Sequence, residues 1–189
     1  MIPLNIFEPR YISMVEHALR SGRYIGMIQP MSSGADTVPP PVYRVGCAGR
    51  ITTFQETEDD RFIIQLTGVC RFRVAEEIST DATYRSVRPD WQPFLSDLDD
   101  SPASTVDIKE LEASLRSYVE SRSMKIDWSA LHKLPPAHVV DYLAMNLPLD
   151  VQEKQALVEL PTSGERAQML RLTLEAAVVA TGASDQRLH

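Results

Sequence analysis

"RVGCAGRITTFQETEDDRFIIQLTGVCRFRV" (Arg44–Val74) is the stretch that decides the fold. Two runs rich in β-branched and aromatic residues flank the acidic turn "ETEDD", the pattern of a long hairpin. Setting Gly49 opposite Gly68 and Ile51 opposite Leu66 also sets Val45 against Phe72, Cys47 against Cys70 and Thr53 against Ile64. All these pairs then share one face, and that face is apolar or small. The other face carries Arg44, Arg50, Arg71, Arg73, Thr67 and Gln65. A slip of one residue would mix the two sets, so burial fixes the register. Facing glycines mark a point where a sheet bends sharply or another backbone comes close. A strongly coiled, barrel-like sheet is therefore expected. The register also makes the two cysteines cross-strand neighbours on the inner face. Buried, reduced thiols acting as small hydrophobes are the expectation, with a redox-sensitive pair as the sharper alternative.

Upstream, "PLNIFEPRYISMVEHAL" (Pro3–Leu19) is a strand-like run that stops at Phe7 and turns at once into a helical pattern. Proline is favoured at the first helical position, where its missing N–H costs nothing. Glu8 before it sits at the positive end of the helix dipole. Ile12, Val15 and Leu19 recur at helical spacing, reinforced by Tyr11 and Ala18. A structural junction suffices to explain Glu8-Pro9-Arg10, because one acid without a placed partner is weak support for acid–base chemistry. "RYIGMIQP" (Arg23–Pro30) reads as a short strand and "MSSGADTVPPPVY" (Met31–Tyr43) as a proline-rich loop. Downstream, "ATYRSVRPDW" (Ala82–Trp91) alternates as a further, partly exposed edge strand.

Beyond it the pattern changes. "PFLSDLDDSPAST" (Pro93–Thr105) is acidic and punctuated by prolines. From there on, apolar residues recur every three or four positions. Ile108, Leu111, Leu115, Tyr118 and Val119 form one stripe, and Val139, Val140, Leu143 and Ala144 another. Asp150 reads as the cap of a helix over Val151–Leu160, and Thr162 or Ser163 as the cap of a final long one. The expected organisation is a β subdomain over 1–92, a connector over 93–104, a helical bundle over 105–182 and a frayed tail over 183–189.

The chain has 189 residues, 43% hydrophobic and 24% charged, as in soluble globular proteins. There is no apolar run of about 18 residues and no signal-peptide pattern, so a cytoplasmic location without membrane contact is the expectation. Net charge is −7. Residues 1–91 hold 10 Lys/Arg against 11 Asp/Glu, and residues 92–189 hold 9 against 15. Neither half has the cation surplus that displaces phosphate counterions, so nucleic acid is a disfavoured partner. His17, His132, His138 and His189 are scattered, and no metal-ligand spacing occurs. No phosphate-cradling G-x-x-x-x-G-K-[ST], dinucleotide G-x-G-x-x-G or nucleophile-elbow G-x-S-x-G is present. The four lysines, Lys109, Lys125, Lys133 and Lys154, lie in the helical half, none placed for a serine–lysine pair. No catalytic residue, cofactor or metal is expected.

"PLNIFEPRYISMV" resembles the N-terminal, substrate-binding domain of the ATP-dependent Lon proteases. Gly46–Ile51, the acidic turn and Gly68–Arg73 resemble that family's "G-x-x-x-x-I" strand, turn and "G-x-x-R-F-R" strand, in order. "LAMNLPLDVQEKQALVEL" (Leu143–Leu160) is similar to its "LPL-x-x-x-EKQ-x-LLE" segment. The resemblance implies an α+β fold: a PUA-like β-barrel followed by an α-helical bundle. It also implies a stand-alone bacterial protein of the group that carries a peptidase S16 label, without the ATPase and Ser-Lys protease modules of Lon. The family has one more apolar strand before "PLNIFEPRY", so a barrel lacking its first strand, with an exposed edge open to dimerisation, is a further expectation. The implied function is a non-enzymatic binding module for peptides or unfolded protein segments, working in protein quality control beside protease or chaperone components. The residues lining its binding surface are not legible in the sequence. The alternative is RNA binding through Arg44, Arg50, Arg71 and Arg73, as PUA-like barrels sometimes bind RNA.

Overall fold

Gly49 does stand opposite Gly68, and Ile51 opposite Leu66, in the computed structural model of the protein. The structure describes residues 1–31, 39–99 and 108–185. The chain divides into two compact units, Met1–Asp100 and Ser101–His189.

The first unit is an antiparallel sheet with one long helix. Its elements are β1 (Ile2–Ile6), α1 (Pro9–Arg20), β2 (Tyr24–Met27), β3 (Val45–Glu56), β4 (Phe62–Ile78) and β5 (Ser86–Asp90), then a 3-10 helix, Gln92–Leu98. β4 is the spine. It pairs with β3 along one edge, and with β1 and then β5 along the other. β2 extends the β3 side. No pairing among the described residues joins β2 back to β1 or β5, so the expected barrel is an open, coiled sheet in its hydrogen bonding.

The predicted register holds at the centre and steps by one residue at both ends. Ala48 faces Cys70, Cys47 faces Arg71 and Val45 faces Arg73; beyond the other step, Thr53 faces Gln65 and Phe54 faces Ile64. Thr52 is the extra residue on β3 and Val69 the extra one on β4. Such bulges bend and twist a sheet, which lets one hairpin serve two cores. Near the turn, Ile51, Phe62, Ile64 and Leu66 pack with Ile6, Ile25, Val15 and Ala18. Beyond the bulge, Ala48, Phe72 and Val74 form a second cluster. Phe72 sits in a cradle of glycine: a Cβ on Gly26 or Gly46 would stand 3.1 or 3.2 Å from its ring. At Gly46 a Cβ would also lie 2.5 Å from the Met27 carbonyl oxygen, so β2 and β3 could not approach this closely with any side chain there.

α1 begins as its sequence dictates. Pro9 occupies the first turn and the Glu8 carbonyl accepts from the Tyr11 and Ile12 amides. Its buried stripe is Val15 and Ala18.

In the stretch read as a connector over 93–104, residues 93–98 belong to the 3-10 helix of the first unit. The 3-10 helix buries Phe94, and residues 100–107 lie outside the described residues. So do residues 32–38 of the proline-rich loop and 186–189 of the tail.

The second unit comprises α2 (Ile108–Ser121), α3 (Trp128–Leu131), α4 (Pro136–Asn146), α5 (Val151–Glu159) and α6 (Ser163–Asp185). The apolar stripes meet in one core around Leu115, Tyr118, Val140, Leu143, Leu170 and Leu174. Local chemistry starts the helices. Asp150 and Glu153 form a reciprocal capping box, and Thr162 and Glu165 repeat the arrangement. The short α3, capped by Asp127, is not foreseen in the sequence. α6 runs to Asp185, into the segment expected to fray. Among the described residues, no helix is long and apolar enough to cross a membrane.

Candidate binding surface

β1 is an edge strand. Its inner edge pairs with β4 from Ile2↔Leu66 to Ile6↔Phe62, and its outer edge has no partner among the described residues. Unpaired strand edges are templates for a further strand. Proline is tolerated in a sheet where its missing donor faces outward, so Pro3 removes one donor from this edge without closing it.

At the C-terminal end of β1 lies an open hollow of about 470 Å³ lined by Phe7, Ile12, Asp59, Asp60 and Arg61. Phe7 follows the last ladder pair and is 62% exposed. Ile12, half-buried, comes from the first turns of α1. The other three belong to the β3–β4 turn. There the Asp60 amide donates to the Thr57 carbonyl at 3.2 Å and the Thr57 amide to the Arg61 carbonyl at 2.9 Å. Asp60 takes a φ of 58°, a left-handed conformation that aspartate accepts better than most residues. The Thr57 hydroxyl donates to Asp59, whose Oδ2 lies 2.7 Å from Arg61 Nε. The hydroxyl first, and then the Arg61 charge, hold the Asp59 carboxyl below its usual value. The Arg61 guanidinium stands 6.0 Å from the Phe7 ring centre. The hollow thus has an apolar floor and a charged rim, with no nucleophile–base pair.

The residues singled out in the sequence are dispersed. Glu8 and Arg10 pair with each other at 2.8 Å, and the Arg10 guanidinium lies over the Tyr11 ring at 4.5 Å, a surface contact rather than a catalytic cluster. Arg44, Arg50 and Arg73 are exposed. Arg71 is not part of a free cationic face: it is 8% exposed and forks onto Asp97. Its Nε donates to Oδ2 at 2.8 Å, Nη2 to Oδ1 at 2.6 Å, and its own amide to Oδ2 at 3.0 Å. Its guanidinium also covers the Phe94 ring at 4.5 Å. The bulge at Val69 and the 26-residue separation of Arg71 from Asp97 hide this pair from pattern reading.

The cysteines do not face each other across the ladder, because the same bulge moves Cys70 opposite Ala48. Neither forms a disulfide; Cys47 is half-buried and Cys70 buried. The Cys70 thiol donates to the Phe94 carbonyl at 3.4 Å, and burial, aided by the Asp97 charge, pushes its pKa up, against nucleophilic use. His17 meets the Tyr84 hydroxyl at 2.9 Å, and His132 meets Glu112. No group of three potential metal ligands exists among the described residues. The hollow and Asp97 are the features that sequence reasoning missed. An apolar Phe7 between a strand end and a helix-starting proline was the one available hint.

A family model described as the ATP-dependent protease La (LON) substrate-binding domain matches residues 1–175. The Lon protease of Dictyoglomus thermophilum is 25% identical over 175 residues, covering 89% of this chain and 21% of its own. Lon protease 2 of Myxococcus xanthus is 26% identical over 186 residues, covering 93% and 21%. The chain therefore spans about a fifth of the length of these curated relatives. Among solved structures, the Lon N-terminal domain protein from Xanthomonas campestris superposes with a TM-score of 0.64 at 20% identity, over 89% of this chain and 86% of that one. The N-terminal domain of the Mycobacterium avium complex Lon protease gives 0.59 at 11% identity, over 93% and 90%. At those identities the likeness is one of fold.

Proposed function

Because this chain belongs to the family of ATP-dependent protease La (LON) substrate-binding domains, we propose that it binds segments of unfolded polypeptide, without chemistry of its own. The observation that carries the reading is the outer edge of β1, which has no partner among the described residues and ends at the exposed Phe7. An extended segment added there gains main-chain hydrogen bonds independent of its sequence, while a neighbouring hollow takes an occasional side chain. That division suits a module that meets many unfolded chains. Cytoplasmic quality control, beside protease or chaperone components, is the setting in which such segments arise. A second copy of the chain is the competing occupant of the same edge.

The test is a fluorescence anisotropy titration of the chain with a reduced, carboxymethylated unfolded protein and with short strand-forming peptides. Saturable binding in the micromolar range, weakened by a proline placed mid-peptide, is expected. Flat titrations up to high micromolar concentrations overturn the reading. Sedimentation over the same concentration range reports self-pairing.

A further inference from the structure

Resting on the peptide-binding reading above, we infer that the hollow beside Phe7 selects its segment by charge, taking an apolar side chain that has lysine or arginine next to it. The floor, Phe7 and Ile12, offers apolar contact. The rim is built by the β3–β4 turn: Asp59, Asp60 and the Arg61 guanidinium line the hollow, and the exposed carboxylates Glu56 and Glu58 adjoin them in sequence. That guanidinium is engaged by Asp59 at 2.7 Å. Glu56, Glu58 and Asp60 have no cationic partner among the described residues. On the helix side, Glu8 and Arg10 neutralise each other at 2.8 Å. The surplus charge at the hollow is therefore negative.

The ladder brings this rim to the binding edge. Ile6↔Phe62 is the last β1–β4 pair, so a strand lying along the outer edge of β1 passes Phe7 and the turn as it leaves. A lysine or arginine there lays its aliphatic stem over the Phe7 ring and its charged head among the free carboxylates. A glutamate in the same place meets like charges at short range, which costs affinity.

The experiment uses the whole chain and three labelled peptides. Each has a central leucine in a valine–threonine background, flanked on both sides by lysine, glutamine or glutamate. At low salt the lysine peptide is expected to bind about tenfold tighter than the glutamate peptide, a spread that a few exposed charge contacts produce. At about 1 M salt the preference falls to about twofold or less. The double variant Glu58→Gln, Asp60→Asn keeps a residue tolerant of positive φ at position 60. It is expected to cut the low-salt preference to about twofold. Phe7→Ser weakens all three peptides, the lysine peptide most. Equal affinities for the three peptides, or an unchanged preference in the double variant, overturn the charge selection while leaving peptide binding intact. Failure of all three peptides and of unfolded protein to bind overturns both.

Discussion

The two units hold themselves together differently. In the helical unit, the buried polar residues Ser114 and Gln155 are neutral, and local contacts such as the capping boxes of Asp150–Glu153 and Thr162–Glu165 start helices around an apolar core. The sheet unit instead draws a charge inward: Arg71 is fixed to Asp97 beneath the 3-10 helix. Local polar contacts can each be lost at small cost, whereas a buried charge depends strongly on the groups that pair it. The difference also separates their surfaces. The sheet unit leaves an unpaired edge and a hollow, which suits it to taking a foreign strand.

The contrast can be broken most forcefully at Asp97. Asp97→Ala removes the carboxylate onto which the Arg71 guanidinium forks and should cost the sheet unit about 3–4 kcal/mol. Trp91 and Trp128 lie one in each unit, so single-tryptophan versions report the units separately in urea titrations. The Trp91 transition should fall while the Trp128 transition stays. Equal shifts in both would show that the units do not melt as separate bodies. Replacing the pair together, Arg71→Met with Asp97→Leu, should recover most of the loss.

Leu170→Ala is the mirror experiment. Leu170 is fully buried in the helical core, and truncation should cost that unit about 3 kcal/mol through lost contacts and a cavity, read at Trp128. Asp150→Ala removes half of a capping box and should cost about 1 kcal/mol, again at Trp128.

Acid sharpens the comparison least but separates the units by chemistry. Asp127, Glu165 and Glu175 in the helical unit are held below ordinary carboxylate values, chiefly by the hydroxyls of Ser129, Thr162 and Ser114. A carboxylate with a depressed folded pKa adds stability above its unfolded value and loses it as pH falls through the folded one. In the sheet unit the Thr57 hydroxyl holds Asp59 in the same way. Between pH 7 and about pH 3, the urea midpoint seen by Trp128 should therefore decline as these hydroxyl-held carboxylates are protonated, an effect that does not involve the Arg71–Asp97 pair of the sheet unit.

Much of this architecture was legible in the residues. Pro9, Asp150 and Thr162 announced helix starts, and the alternation across Arg44–Val74 announced the central hairpin. Those signals act over a few residues, through capping, fixed φ and the periods of helix and strand, so the sequence alone carries them. Membership of the family followed from motifs in that same local order. The ends of the register, the burial of Arg71 and the hollow beside Phe7 were decided only by the tertiary structure. Each depends on an extra residue in one strand or on groups such as Asp97 and Asp60 brought from far along the chain, and the free energy of such an encounter is fixed by packing that no local pattern encodes.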